Sequence, residues 1–417
     1  MSAPCPPTAG ALAPPTSADH LSLAEVLRAG LSVYQRTRAL LPQQWKVLRA
    51  ILACRTPALG AHCYRCDHCG REHVQLHSCR NRHCPRCQGS LAAAWLDKQE
   101  GALLPVPYFH LVFTLPHCLN PLIRQNRAAL YKLLFEAAAQ TLLEFGRRRL
   151  HGQVGVTAVL HTWGQTLTDH YHLHCLVPGG ALGDKGWRSA SPHYLFPVQA
   201  LSKMFRGKFC RALEQLFMAG TLEFHGKLKP LSEPAGSRQL LRQAAATKWV
   251  VYAKRPFAGP RQVLTYLSLY THRVAISERR LLSLDRTETS VRFSYKDYAD
   301  GAQRKVMTLA LDEFVRRFLL HLLPERFVKI RHYGILGNHQ RHQRIEHIRT
   351  LLPPPQQPAQ SPSPQSLTAS TRAGLITIPA KAAAEPGSIR CPFCGSGPMK
   401  LVRVLHPVRP TAKLDSS

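Results

Sequence analysis

Two Cys-x-x-Cys pairs, Cys66-x-x-Cys69 and Cys84-x-x-Cys87, bracket fourteen residues near the start of a 417-residue chain. No other feature limits the fold as strongly. Paired knuckles bring four thiolates within reach of one tetrahedral Zn²⁺, and this spacing fits a zinc ribbon. Gly70 after the first pair and Pro85 inside the second suit tight turns. Four thiolates leave no open coordination position, so the expected metal folds its module and does no chemistry. Cys54, Cys63, Cys79 and His83 are left over in the cluster, as buried thiols, alternative ligands or part of a second site. A lone knuckle, Cys391-x-x-Cys394-Gly395, stands near the end of the sequence. Two ligands do not complete a zinc site; His406 or an N-terminal cysteine are its candidate partners. Neither a signal-peptide pattern nor a membrane-spanning stretch is evident, so a cytoplasmic location is the default expectation. In that compartment, 13 cysteines arranged in such pairs point to metal and not to disulfides.

Charge narrows the partner. Lys and Arg number 55 against 24 Asp and Glu, a formal net charge of +31. The excess is spread along the whole chain, the footprint of a protein that meets a polyanion, most simply nucleic acid. A membrane surface is the weaker alternative. Arg80, Arg82 and Arg86 decorate the second knuckle and form a candidate phosphate-contact surface, weighed against an ordinary solvated basic face. The run Lys329, Arg331, His332 and onward to Arg349 invites the same pair of readings.

The stretch from Asp169 to Val177 carries the chemistry. It alternates, turns apolar at Cys175, and stops at Pro178-Gly179-Gly180, as a strand does. Residues two apart on a strand share a face, so His170, His172 and His174 project together. Two adjacent imidazoles can hold a divalent metal; satisfied surface histidines are the plainer alternative. Residues from Gly155 to Thr168 read as a preceding strand that turns at about Thr168-Asp169. From it His161, Trp163 or Gln165 could supply a third ligand. Gln165 is the first choice.

The remaining pattern gives the organisation. Met1 to Asp19 has the composition of a disordered segment. Residues 20–104 hold two amphipathic helices, broken near Pro42, and the zinc module. Residues 105–350 alternate strands (Tyr108 onward, Gly155 onward, Trp249 to Lys254, Val291 to Lys296) with helices (Pro121 to Leu150, Val198 to Ala219, Leu311 to Leu323), a sandwich built on a central sheet. Residues 351–388 are a Pro/Gln/Ser/Ala-rich linker, and 389–417 a tail. Within 105–350, Arg261 to Arg273 reads as a helix that sets Tyr266 and Tyr270 four residues apart on one face. Core packing is the commoner fate of such tyrosines. His272 and Arg273 lie beside them, and a cation there can steady a phosphate. A metal-activated phosphodiester, a tyrosine nucleophile and a basic surface together suit transesterification without an external energy source. The absence of a GxxxxGK[ST] loop agrees.

Several stretches carry a resemblance to a known family. They are Ser78-Cys79-Arg80-Asn81-Arg82-His83-Cys84-Pro85-Arg86-Cys87-Gln88, Phe113-Thr114-Leu115-Pro116, and His172-Leu173-His174 leading into Pro178-Gly179-Gly180. The run Tyr266 to Ser277 and the shorter Arg331-His332-Tyr333-Gly334 complete the set. In order and content the chain resembles the rolling-circle transposases of bacterial insertion sequences, the HUH-type group called the insertion-sequence ninety-one family. The resemblance implies an α+β protein, a zinc-ribbon module followed by an HUH nuclease domain whose central antiparallel sheet is flanked by helices. It implies cleavage and joining of single-stranded DNA at element ends through a phosphotyrosine. His172 and His174 would hold Mg²⁺ or Mn²⁺, and Tyr266 and Tyr270 would be the nucleophiles. Tyr171 departs from the pattern, standing where proline is expected. The rivals are a plasmid replication initiator or relaxase with the same chemistry, and a non-catalytic zinc-dependent DNA-binding protein.

Overall fold

The structure, a computed structural model, describes residues 21–101, 103–254, 263, 271–352 and 389–407. The expectations for residues 1–19, for the stretch 353–388 and for Tyr266 and Tyr270 lie outside the described residues.

The first helix, Leu23–Gln35, begins where the sequence provides a cap. Ser22 Oγ accepts from the Glu25 backbone N–H, and the Glu25 carboxylate accepts from the Ser22 N–H, which satisfies two of the amides a helix start leaves over. A second helix, Pro42–Ala53, starts on proline, whose missing N–H costs nothing at that position. Next come strands β1 (Ala61–Cys66) and β2 (Glu72–Leu76), then a helix from Pro85 to Glu100.

The larger part is organised by an antiparallel five-stranded sheet. Its members are β3 (Tyr108–Thr114), β4 (Gly155–Trp163), β5 (Asp169–Pro178), β8 (Val250–Lys254) and β12 (Ile330–Gly334), in the spatial order β12-β4-β5-β3-β8. β6 (Gly180–Gly183) and β7 (Gly186–Ser189) form a small hairpin beside it. The two faces of the sheet differ. Phe109, Leu111 and Phe113 of β3, Val156, Ala158 and Leu160 of β4, and Tyr171, Leu173 and Cys175 of β5 join one core with helices Arg127–Leu150 and Val198–Met218. The alternate residues face the other way, where Tyr108, Val159 and Leu176 cluster with Val263, Ile345 and Ile348. The period of two that marks a strand thus separates an apolar face from the face that carries the histidines.

β9 (Leu281–Asp285), β10 (Ser290–Asp297) and β11 (Gln303–Ala310) form a second antiparallel sheet, continued by helix Leu311–Leu320. That helix crosses Leu23–Gln35 closely: a Cβ on Gly30 would come within 2.8 Å of Val315 Cγ2 and 3.0 Å of the Leu311 carbonyl. Leu23, Leu27, Phe314 and Phe318 are the centre of this second core. Finally, β13 (Ile389–Arg390) and β14 (Pro398–Leu405) complete a four-stranded sheet in the order β13-β14-β1-β2. The tail anticipated for 389–417 supplies, over its described part, two strands of the N-terminal sheet. Among the described residues no helix is long and apolar enough to cross a membrane.

Candidate metal centre and its surroundings

β5 is fixed at its start by a buried carboxylate. Asp169 is ion-paired to Arg124, and its Oδ1 accepts from the Tyr171 hydroxyl at 3.0 Å. Tyr171 therefore does positional work on the core face. From that anchor the alternate residues His170, His172 and His174 emerge on the opposite face.

Three imidazoles meet there. One ring nitrogen each from His161, His172 and His174 lies within 4.8 Å of the others. His161 sits directly across from His172 in the β4–β5 register. The hydrogen bonds around them select which nitrogens face the centre. His172 Nδ1 is 2.8 Å from the His170 carbonyl, which can only accept; Nδ1 carries the proton and Nε2 keeps its lone pair. His174 Nδ1 is 2.8 Å from His110 Nε2 of the adjacent strand, with the rings nearly parallel, so the same assignment leaves His174 Nε2 as donor to a cation. His110, His161 and His174 are all buried. Burial, followed by the neighbouring His170, pushes the His172 pKa down to about 3, and burial with His172 and His110 carries His174 well below the usual histidine range. Burial likewise takes His110 to about 4. His110, His172 and His174 are thereby neutral at pH 7, the form a metal requires of a ligating imidazole.

The third imidazole beside His172 and His174 is His161, while Gln165, the expected third ligand, lies in the turn after β4. β4 ends at Trp163 rather than running on to Thr168, and the hairpin closes through the Gly164 N–H on the Thr168 carbonyl at 2.9 Å, with Leu167 in the left-handed region at φ 59°. Gln165 is thereby carried to the turn, where its carbonyl accepts from Arg280. His110 was not among the expected site residues. Its signal was present, since it alternates with Tyr108 and Val112 on a strand next to β5.

A cationic group adjoins the histidines. Arg273 contributes to the depressed pKa of both His172 and His174. Its carbonyl accepts from Lys329 Nζ at 2.8 Å, and that ammonium lies over the Trp163 ring, 5.3 Å from its centroid. Burial, with Arg82 and Arg273 nearby, lowers Lys329 to about 7. Arg82, His83, Trp163, Arg273 and Lys329 line one cavity. Val263 and Arg273 flank the two tyrosines in sequence; Val263 is buried in the apolar cluster of the histidine face.

The cysteines regroup. The four expected to share one metal divide between two sites. Cys84 and Cys87 join Cys54 and Cys79, while Cys66 and Cys69 join Cys391 and Cys394. In the first group the sulfurs of Cys54 and Cys87 are 3.5 Å apart, those of Cys79 and Cys87 3.6 Å, and those of Cys84 and Cys54 3.6 Å. Thiolates bound to one zinc at about 2.3 Å stand about 3.8 Å apart at tetrahedral corners, so both groups fit structural zinc. Cys63 belongs to neither group. His83 is half-buried instead, its Nε2 accepting from the Leu323 N–H at 3.4 Å.

Two of the three arginines on the second knuckle make contacts within the chain. Arg86 pairs with Glu278 at 3.1 Å, and Arg82 Nη1 donates to the Phe327 carbonyl at 2.5 Å. Both tie the thiolate module to residues beyond the central sheet. Arg80 is exposed, at φ 52°.

Two family models match the chain. One, described as "Transposase zinc-binding domain", covers residues 26–115; the other, described as "Putative transposase", covers residues 155–344. The chain is 48% identical over 313 residues to "Putative transposase y4qJ" of Sinorhizobium fredii, spanning 74% of this chain and 78% of the relative. It is 30% identical over 294 residues to the transposase for insertion sequence element IS801 of Pseudomonas savastanoi pv. phaseolicola, spanning 69% of each. No solved structure matches.

Proposed function

The chain belongs to the insertion-sequence ninety-one family of transposases, and from that premise we propose that it nicks and joins single-stranded DNA at element ends through a tyrosine–DNA linkage. The single observation that carries the reading is the trio His161, His172 and His174, whose ring nitrogens converge within 4.8 Å of one another on one face of the sheet, with His161 and His174 buried and His172 half-buried. Mg²⁺ or Mn²⁺ held by these imidazoles would supply Lewis acidity at a scissile phosphate.

The rest follows from the chain's own groups. The His170 carbonyl holds His172 in the ligating tautomer before DNA arrives, and the His110 ring, accepting from His174 Nδ1, would do the same for His174. Arg273 provides a positive charge beside them for a non-bridging phosphate oxygen. The hydroxyl of Tyr266 or Tyr270 attacks phosphorus; a phosphorus–oxygen bond to tyrosine forms as the bond to the 3′ oxygen breaks, and the strand departs with a free 3′-hydroxyl. A second tyrosine would permit a second transfer while the first linkage persists. The phosphodiester energy is kept in the linkage, so later attack by a 3′-hydroxyl rejoins DNA without a nucleotide cofactor. Arg80, exposed beside the first thiolate group, is the remaining candidate phosphate contact on that module.

The pair Tyr266→Phe and Tyr270→Phe tests the nucleophiles. Together they are expected to abolish covalent attachment to labelled end DNA while leaving band-shift affinity within about twofold, since only the hydroxyls are lost. Attachment retained by the double variant would refute the assignment.

A further inference from the structure

Cys66, Cys69, Cys391 and Cys394 draw a four-thiolate group from opposite ends of the sequence. Cys69 and Cys391 stand 322 residues apart, yet their sulfurs are 3.6 Å apart, and those of Cys66 and Cys394 are 3.7 Å apart. These separations are far longer than the about 2.05 Å of a disulfide and close to the edge of a zinc tetrathiolate. The two contributing loops are built alike. The Gly70 N–H donates to the Cys66 carbonyl at 3.0 Å, and the Gly395 N–H donates to the Cys391 carbonyl at 3.0 Å. Both glycines occupy the left-handed region, at φ 66° and 68°, which lets each loop reverse just after its second cysteine. Gly397 completes the fit, because a Cβ there would lie 3.0 Å from Cys66 Sγ and 2.8 Å from His68 Cβ.

We propose that this group is a second structural zinc site that works as a clasp, fastening the C-terminal segment to the N-terminal module. The family's zinc-binding match ends at residue 115 and does not include Cys391 or Cys394. Apart from the sulfurs, the C-terminal segment is held by backbone pairing and by exposed contacts such as Lys400 on Asp67 at 3.1 Å and Arg71 over Phe393, with little buried apolar surface. β14 pairs with β1 from Ala61↔Leu405 to Cys66↔Met399, but Leu401, Val402 and Val404 remain exposed, and the buried centre of this sheet is Cys66, Cys391 and Met399. A cluster of that size does not hold a strand in place; a metal bridging both loops does, by closing the long intervening chain into a loop.

The test combines metal analysis with a cut. The intact protein is expected to carry two zinc ions, one for each four-cysteine group. Cys391→Ser with Cys394→Ser is expected to carry one, with its far-UV circular dichroism unchanged. A specific protease site is then placed among residues 353–388. After cleavage the C-terminal fragment should co-elute with the body in size-exclusion chromatography, and should elute separately after zinc chelation or in the double Ser variant. Undiminished zinc in the double variant, or a fragment that stays on the body once all zinc is removed, would overturn the proposal.

Discussion

At the residue scale the site depends on which nitrogen of each imidazole carries a proton. Burial keeps His172 and His174 neutral, but neutrality alone leaves two tautomers. The His170 carbonyl at 2.8 Å decides the matter for His172; for His174 the partner is His110 Nε2, also at 2.8 Å, which accepts when His174 Nδ1 carries the proton and so leaves His174 Nε2 free to ligate. Such outer partners raise ligand basicity and fix ring orientation, and their loss typically weakens metal binding 10- to 100-fold. His110→Ala is therefore expected to weaken Mn²⁺ binding about 10- to 100-fold by calorimetric titration. His110→Gln, whose amide oxygen accepts the same proton, should recover part of it. Equal Mn²⁺ affinity in His110→Ala and the wild type would show that the contact does not orient His174.

At the scale of elements, the histidine strand was legible because its signal is local: alternation, an apolar run, and a Pro-Gly-Gly stop. The break near Pro42, where the second helix starts, is local in the same sense. The third ligand was not, because it depends on register. A turn at Thr168-Asp169 sets Gln165 opposite His172, whereas the observed turn at 164–168 sets His161 there. A few residues of loop conformation, with Leu167 in the left-handed region, decide which side chain stands opposite His172. The thiolate groups were legible only in part: an N-terminal cysteine was a candidate partner for Cys391 and Cys394, and Cys54 and Cys79 were candidates for a second site, but which four share a metal was not fixed. The spacing of Cys66, Cys69, Cys84 and Cys87 fits a single ribbon, and nothing near them reports that Cys391 and Cys394 return from the far end of the chain. The edge strand β12 shows how a match without chemistry can be structural. Gly334 has φ 62°, and a Cβ there would approach the Val154 carbonyl oxygen to 1.9 Å and Leu143 Cδ2 to 2.8 Å. Gly334→Ala should cost about 1–3 kcal/mol through backbone strain and loosen β12 from β4. The expected result is a lower thermal midpoint with zinc content unchanged; an unaltered midpoint would mean that the strand end yields freely.

At the scale of the whole molecule, a net charge of +31 draws DNA to the surface, the thiolate groups brace the N-terminal module, and the sheet presents its histidines to one side. Arg82 and Arg86 join the module to the region that follows the tyrosines, so the arginines expected on DNA serve first to hold the parts in register. The long-range electrostatic term makes binding steeply salt-dependent but does not itself cut DNA. On the proposed mechanism, chemistry requires the three imidazoles together. The most direct test incubates the protein and its His161→Ala and His172→Ala variants with labelled single-stranded element-end DNA and Mn²⁺, followed by a denaturing gel. The account predicts a covalent protein–DNA band for the wild type, lost with chelator and lost in both variants, while all three proteins still shift the DNA under native conditions. A covalent band of wild-type intensity in the histidine variants, or none from the wild type on DNA that it binds, would contradict it.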